Sequence, residues 1–215
     1  MRLTCLSDTH NKHQYIDTRE FIGTDIVIHA GDFTSNGNLA QTEAFLAWYS
    51  ELNVPHKILV AGNHDFKAAS ITFDEVISKY PNILYLRNSS VTIDGLNIWG
   101  SPFSNTFGQW AFMKDDEDLG NIWKTIPANT DIVITHGPAH GRGDLVKEAY
   151  GRDPHVGSTT LYTKLSKLRN LKLHVTGHIH EAQGIYLGKW TTINASVCDL
   201  NYVPCNHPIS INMEV

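Results

Sequence analysis

Two short stretches of this 215-residue chain concentrate side chains able to bind metal ions: Gly62-Asn63-His64-Asp65 and Gly177-His178-Ile179-His180. Asp8-Thr9-His10, Gly31-Asp32 and Thr135-His136-Gly137 add to them. Imidazole, carboxylate and amide oxygen together suit first-row divalent metals, and no cysteine pattern of a structural zinc site accompanies them. Asp-x-His would arise by chance about once in such a chain, and its second copy, Asp153-Pro154-His155, follows no strand and reads as accidental. Gly-His-x-His and Gly-Asn-His-Asp would each arise far less than once, so these two carry the weight.

Elements that could position such residues are visible just upstream of each stretch. Leu3–Leu6, Asp25–His29, Lys57–Ala61, Asp131–Thr135 and Leu171–Thr176 are short, nearly continuous apolar runs, the pattern of strands buried on both faces. Helices are predicted over Asn38–Leu52, Phe73–Tyr80 and Thr159–Leu168, and strands alternating with helices imply crossover units. In such sheets ligands gather outside the carboxyl ends of the strands, so the five loops can converge. The second half differs. Val91–Ile93 and Leu96–Trp99 flank Asp94-Gly95, a type I′ hairpin signal; Gln183–Leu187 with Trp190–Asn194 forms another, and Pro208–Met213 a last strand. Two mixed β-sheets packed together with helices outside are expected, an α/β (α+β) four-layer αββα sandwich in a single domain over residues 1–215. Ser101–Trp110 and His140–Gly157 read as irregular loops.

Composition narrows the function classes. Seventeen basic against 22 acidic side chains give a net charge of −5, unsuited to long nucleic acid. No apolar run approaches the roughly 20 residues of a membrane helix, so no membrane partner is expected. Chemistry beginning at Asp8 leaves no expected leader. Three cysteines without paired spacing suggest a reduced, cytoplasmic setting. Twelve histidines in an acidic chain point again to metal.

The series Asp8-x-His10, Gly31-Asp32, Gly62-Asn63-His64-Asp65, Thr135-His136-Gly137 and Gly177-His178-x-His180 resembles the calcineurin-like metallophosphoesterase superfamily, and it spans residues 8 to 180. His29-Ala-Gly-Asp-Phe-Thr34, Val60-Ala-Gly-Asn-His64, Thr135-His-Gly-Pro138, Gly177-His-Ile-His-Glu181 and Asn194-Ala-Ser196 resemble its small metallophosphoesterase-domain-containing group, akin to class III cyclic-nucleotide phosphodiesterases. The resemblance implies a metallophosphoesterase-like fold and two divalent metal ions, with manganese the leading choice over iron, zinc, nickel or cobalt. It assigns Asp8, His10 and His180 to the first ion and Asn63, His136 and His178 to the second, with Asp32 bridging. A water shared by the metals would attack phosphorus opposite the leaving oxygen. His64 has no metal role in the family pattern and is the candidate catalytic residue, contacting phosphate and protonating the leaving alkoxide.

The implied function is hydrolysis of small phosphodiesters, cyclic nucleotides among the candidates. A phosphomonoesterase or phosphoprotein phosphatase is the alternative. The latter class resembles Gly-Asp-x-Val-Asp-Arg-Gly after the second strand, whereas this chain has Gly31-Asp-Phe-Thr-Ser-Asn-Gly37 and lacks the arginine. A metal-free interaction scaffold would have lost ligands that are intact here, and a metal store would give His64 no task. Candidate supporting residues are His29 and Asp65 beside the ligands, Phe107 and Trp110 as stacking groups, and His140 and Asp144 near substrate or as loop caps. His174 reads as structural, His13, His56, His155 and His207 as surface or loop residues, and Cys5 as a buried apolar residue. The sequence specifies no oligomeric state.

Overall fold

The computed structural model describes residues 1–147 and 154–214; Asp153 and the middle of the His140–Gly157 loop lie outside the described residues. In chain order the elements are β1 (Arg2–Leu6), β2 (Ile26–Ala30), α1 (Leu39–Glu51), β3 (His56–Val60), α2 (Phe66–Ala69), α3 (Phe73–Ile77) and β4 (Ile83–Tyr85). Then come β5 (Ser89–Ile93), β6 (Leu96–Ser101), β7 (Ser104–Asn105), β8 (Met113–Lys114), α4 (Asp116–Trp123) and β9 (Ile132–Thr135). The last are α5 (Thr159–Lys167), β10 (Leu173–Thr176), β11 (Gly184–Tyr186), β12 (Thr191–Asn194) and β13 (Ile209–Asn212).

One sheet has the order β13-β1-β2-β3-β4 and the other β11-β12-β10-β9-β6-β5. Each has a parallel centre, and among the described strands of these sheets the antiparallel pairs are those of β13, β11 and β5. The two-residue period of a strand sorts side chains into layers. Ile26, Ile28 and Ala30 of β2 meet Ile132 and Ile134 of β9 between the sheets, in a layer that also takes in Leu3, Cys5, Ile58, Leu173 and Val175. Val27 and Leu59 point the other way, onto Phe45, Leu46 and Tyr49 of α1. Val133 and Trp99 face Leu119 and Trp123 of α4 and Leu161 and Leu165 of α5. The result is the expected αββα stack.

Local chemistry fixes the helices. Asn38 caps α1 by accepting from Gln41 N at 2.9 Å, and the buried Thr42, Phe45, Leu46 and Tyr49 recur at helical spacing. The Tyr49 hydroxyl reaches the Ile58 carbonyl at 2.8 Å, tying the helix to β3. Replacing Phe45 by Ala would cost about 3–5 kcal/mol through lost burial and the cavity left behind. Helix α3 is shorter than the predicted Phe73–Tyr80: after Ile77 the chain tightens into i→i+3 hydrogen bonds, Lys79 N to the Val76 carbonyl and Tyr80 N to the Ile77 carbonyl, and Pro81 disfavours a helical Tyr80. The second-half hairpin strand shrinks from Gln183–Leu187 to Gly184–Tyr186. The expected loop Ser101–Trp110 contains β7, which pairs with β8. Two-residue strands have no period to read.

Candidate metal centre

The loops after β1, β2, β3, β9 and β10 meet at one end of the sandwich. Asp8 N donates to the Gly31 carbonyl at 2.9 Å and His10 N to the Asp32 carbonyl at 3.0 Å, so the first two loops lie side by side. Across the sheets, His178 N donates to Asp8 Oδ2 at 3.0 Å, and within the first sheet His64 N donates to Asp32 Oδ1 at 2.8 Å. The chain reaches these positions through left-handed backbone: φ is +54° at Asp8, +40° at His10, +55° at Asp32 and +70° at His178. Such angles disfavour non-glycine residues and persist only where surrounding contacts enforce them. Two motif glycines have a steric reason. A Cβ on Gly62 would overlap Asp32 Oδ1, and one on Gly177 would overlap Asp8 Oδ2.

All seven proposed ligands are brought together. Nε2 of His180 lies 3.4 Å from Asp8 Oδ1 and 3.2 Å from Nε2 of His10. Nε2 of His136 lies 3.3 Å from Asp32 Oδ2 and 2.9 Å from Asn63 Oδ1. Asp8, His10 and His180 form one candidate cation group, Asp32, His136 and His178 another, and His10, Asp32 and His64 a third that overlaps both. His10 also falls within 3.9 Å of Asp32 Oδ2, which places that carboxylate between the two groups.

The donor set fits divalent cations for a specific reason. His180 donates Nδ1–H to the Asp199 carbonyl at 2.8 Å, and His136 donates Nδ1–H to the Ala30 carbonyl at 3.0 Å. Each therefore turns Nε2 toward a carboxylate oxygen, an arrangement that is favourable only with positive charge between them: a proton on the ring, or a metal ion. Burial opposes charging both imidazoles, but Asp32 on His136 and Asp8 on His180 outweigh it and lift each to about 9. Burial would likewise raise Asp8 and Asp32; the imidazoles, His180 foremost on Asp8 and His136 on Asp32, hold both well below the ordinary carboxylate range. Burial dominates at His10 and His178, pushing them down to about 4 and about 3, the neutral form a metal requires.

Around this centre the other candidates sort themselves. His64 Nδ1 donates to the Ser35 carbonyl at 2.7 Å, leaving Nε2 4.0 Å from Asp32 Oδ2. Asp65 does not orient His64: it accepts from Gly62 N at 2.8 Å and from Thr34 N at 2.9 Å, clamping the second and third loops. His29 does similar work, meeting Thr9 Oγ1 at 3.1 Å and Gly31 N at 3.2 Å. Trp110 lies over His64 with centroids 4.3 Å apart, and Phe107 stands 5.3 Å from His178. Asp144 is a loop clamp, accepting from Gly141 N, Gly157 N and His155 Nδ1; His140 stands 3.9 Å from it. His174 is enclosed against Thr135 Oγ1 at 2.8 Å. His13 is not on the surface; it is buried against Phe45 and Trp48, because the turn carrying it docks on α1.

Sequence reasoning missed three contributors. Tyr202, at φ +59°, packs edge-on to His10 at 4.7 Å and also faces His180 and His64. Ser196 donates to Asp8 Oδ2 at 2.7 Å, and Asn194 Nδ2 bonds the Gly177 and Ile179 carbonyls on either side of His178. The Asn194-Ala-Ser196 motif was the available signal for the latter two; nothing local marks Tyr202.

Comparison with known proteins agrees with this architecture. The calcineurin-like phosphoesterase family model matches residues 1–182. Human metallophosphoesterase domain-containing protein 1 is 35% identical over 236 residues, covering 99% of this chain and 71% of that protein. UPF0046 protein C25E10.12 of Caenorhabditis elegans is 31% identical over 217 residues, covering 93% of this chain and 76% of that protein. The solved phosphopantetheinyl hydrolase of Mycobacterium tuberculosis shares the fold, with a TM-score of 0.59 at 12% identity over 96% of this chain and 95% of that one.

Proposed function

The chain belongs to the calcineurin-like phosphoesterase family, and on that premise we propose that it is a metal-dependent hydrolase of small phosphodiesters, cyclic nucleotides among the candidates. The observation that carries this reading is the convergence on Asp32 of His136 Nε2 at 3.3 Å, His10 Nε2 at 3.9 Å and His64 Nε2 at 4.0 Å. Asp8, His10 and His180 would hold one divalent ion and Asn63, His136 and His178 a second, with Asp32 shared and manganese the leading candidate. Bound there, the ions supply Lewis acidity toward the phosphoryl oxygens and acidify water. The remaining work falls to the chain itself. His64, with Nδ1 engaged by Ser35, presents Nε2 as the group that hands a proton to the leaving oxygen. Trp110 covers one face of that ring and limits its access to water.

Two features favour diesters. The loop after β2 has Asn36 where phosphoprotein phosphatases carry an arginine for a dianionic phosphate, and the acidic net charge of −5 restricts attraction of anions to the centre itself. A small substrate, no long nucleic acid and no membrane partner complete the reading. No helix of the described residues is long and apolar enough to cross a membrane, and Cys5, Cys198 and Cys205 are free thiols.

The test is a substrate panel: manganese-loaded protein against bis(p-nitrophenyl) phosphate, p-nitrophenyl phosphate and 2′,3′- and 3′,5′-cyclic nucleotides. Diesters should be turned over faster than the monoester. A strong monoester preference over every diester overturns the proposal while leaving the metal centre intact.

A further inference from the structure

The segment that carries Tyr202 is a tight turn between Cys198 and Pro204, which pair as an antiparallel bridge. Asp199 builds it. Its N–H donates to the Val203 carbonyl at 2.9 Å, and its carbonyl accepts from Tyr202 N at 2.9 Å. Its carboxylate accepts from Asn201 N at 2.8 Å and from Val203 N at 2.9 Å. Leu200, Asn201 and Tyr202 form the loop, and Tyr202 closes it at φ +59°. Hairpin loops of this length ordinarily place glycine at their left-handed position, where a side chain is strained. A bulky residue held there signals contacts that enforce it, and such strain gathers at functional sites.

Among the described ring contacts, Tyr202 meets three histidines of the centre: His10 at 4.7 Å, His180 at 5.6 Å and His64 at 6.0 Å between centroids. Neither His136 nor His178 is among them. His10 is the imidazole that needs such a neighbour. His180 and His136 each set their rings by donating Nδ1–H to a backbone carbonyl, the usual means of orienting a ligating histidine. Nδ1 of His10 is buried and has no hydrogen-bond partner among the described residues. The backbone of His10 is fixed, its N–H by the Asp32 carbonyl at 3.0 Å and its carbonyl by Ser35 Oγ at 2.7 Å. Its side-chain torsions are left to packing. Tyr202 and His64 both stand nearly perpendicular to the ring at 4.7 Å, an edge-to-face arrangement that aromatic pairs favour.

We propose that Tyr202 is a positioning residue for the first metal ion: its ring, held by the Asp199 turn, keeps His10 Nε2 directed at Asp8 and Asp32, each 3.9 Å away. Asp199 then orients both imidazoles of that group, His180 through its carbonyl and His10 through Tyr202. The ring and not the hydroxyl carries the role. The proposal rests on the two-ion reading of the centre.

Calorimetric titration of chelator-treated protein with manganese tests it, and the parent should show two binding steps. Tyr202→Gly removes the ring while suiting the left-handed backbone, so a loss in that variant is not a loss of the turn. It should weaken the step that His180→Ala abolishes at least about tenfold and leave the step that His178→Ala abolishes within about twofold. Tyr202→Phe should keep both steps. Circular dichroism checks each fold, and Tyr202→Asn, which also tolerates a positive φ, takes over if the glycine variant does not fold. Weakening of both steps alike, of neither, or of the His178 step alone overturns the proposal. So does a loss in Tyr202→Phe equal to that in Tyr202→Gly, which would move the role to the hydroxyl. Failure of both ring-deleting variants to fold assigns Tyr202 to the fold and overturns it as well. A parent that binds fewer than two manganese ions overturns the two-ion reading, and the proposal with it.

Discussion

Nε2 of His180 lies 3.4 Å from the Asp8 carboxylate while Nδ1 of the same ring donates to the Asp199 carbonyl at 2.8 Å. His136 repeats the arrangement between Asp32 and the Ala30 carbonyl. Without metal, each ring must carry a proton on Nε2, and the carboxylates hold both imidazoles up to about 9. Metal uptake at pH 7 should therefore release close to two protons, and affinity should rise with pH until about 9. The same shift governs stability. A histidine raised from an unfolded value of about 6.5 stabilises the metal-free fold fully below that pH and loses the contribution as pH climbs through the folded value. Metal-free protein should thus weaken between about pH 6.5 and 9, whereas metal-loaded protein should not. Calorimetry in buffers of differing ionisation heat, together with melting curves across that window, checks both; proton-neutral uptake would contradict the geometry.

His64 packs against Trp110, Tyr202 and His10, and its Nδ1 is engaged by the Ser35 carbonyl while Nε2 faces Asp32 from 4.0 Å; removing it tests whether it serves the reaction or the metal. His64→Ala should lower turnover by about 10²–10⁴-fold while metal content stays near that of the parent, as measured by elemental analysis beside steady-state kinetics. Full activity in that variant would remove His64 from the reaction.

Gly177 tests whether the centre depends on close backbone approach. Its added Cβ would occupy the space of Asp8 Oδ2 and crowd the Ser7 side chain, both fully buried. Gly177→Ala should displace the Asp8 carboxylate, abolish stoichiometric metal binding and lower the melting temperature. Normal metal content in this variant would show that the loop has room the packing denies.

Asp116 lies away from the centre, where α4 meets α5. Its carboxylate accepts from Ser158 Oγ, Thr159 Oγ1 and Thr160 Oγ1, and Ser158 caps α5 by accepting from Leu161 N at 2.9 Å. Burial works to raise this carboxyl, but those hydrogen bonds outweigh it and lower it. A depressed carboxyl contributes its stability above the unfolded value and loses it as pH falls through the folded one. Asp116→Ala should accordingly cost about 1–2 kcal/mol in denaturant unfolding at pH 7. The gap from the parent should close on acidification below about pH 4. A gap of constant size would assign the loss to packing alone.

The strands were legible where composition leaves little choice. Ile26–Ala30 is apolar apart from His29 and Ile132–Thr135 apart from its last residue, and a strand of that kind must be covered on both faces, which implies layers on either side. The lone segments were not legible in the same way: β7 and β8 are two residues each, and α3 gives way after Ile77 to an i→i+3 turn that its apolar spacing does not mark. The roles of Asp65 and Ser35 could not be read from adjacency. Asp65 stands next to His64 yet serves the Thr34 and Gly62 amides, and Ser35, 29 positions away, is what orients the imidazole.

By itself the sequence determined the alternation of buried strands with helices, and the seven ligand-type residues placed just beyond strand ends, because residue type and two- or 3.6-residue periods are local properties. Only the tertiary structure decided which nitrogen of each imidazole faces the centre, where Tyr202 and Ser196 enter it, and that a cavity walled by Phe103, Phe107 and Trp123 adjoins His178. Those features arise from segments up to 188 positions apart, brought into contact by sheet packing, and no local pattern encodes such a meeting.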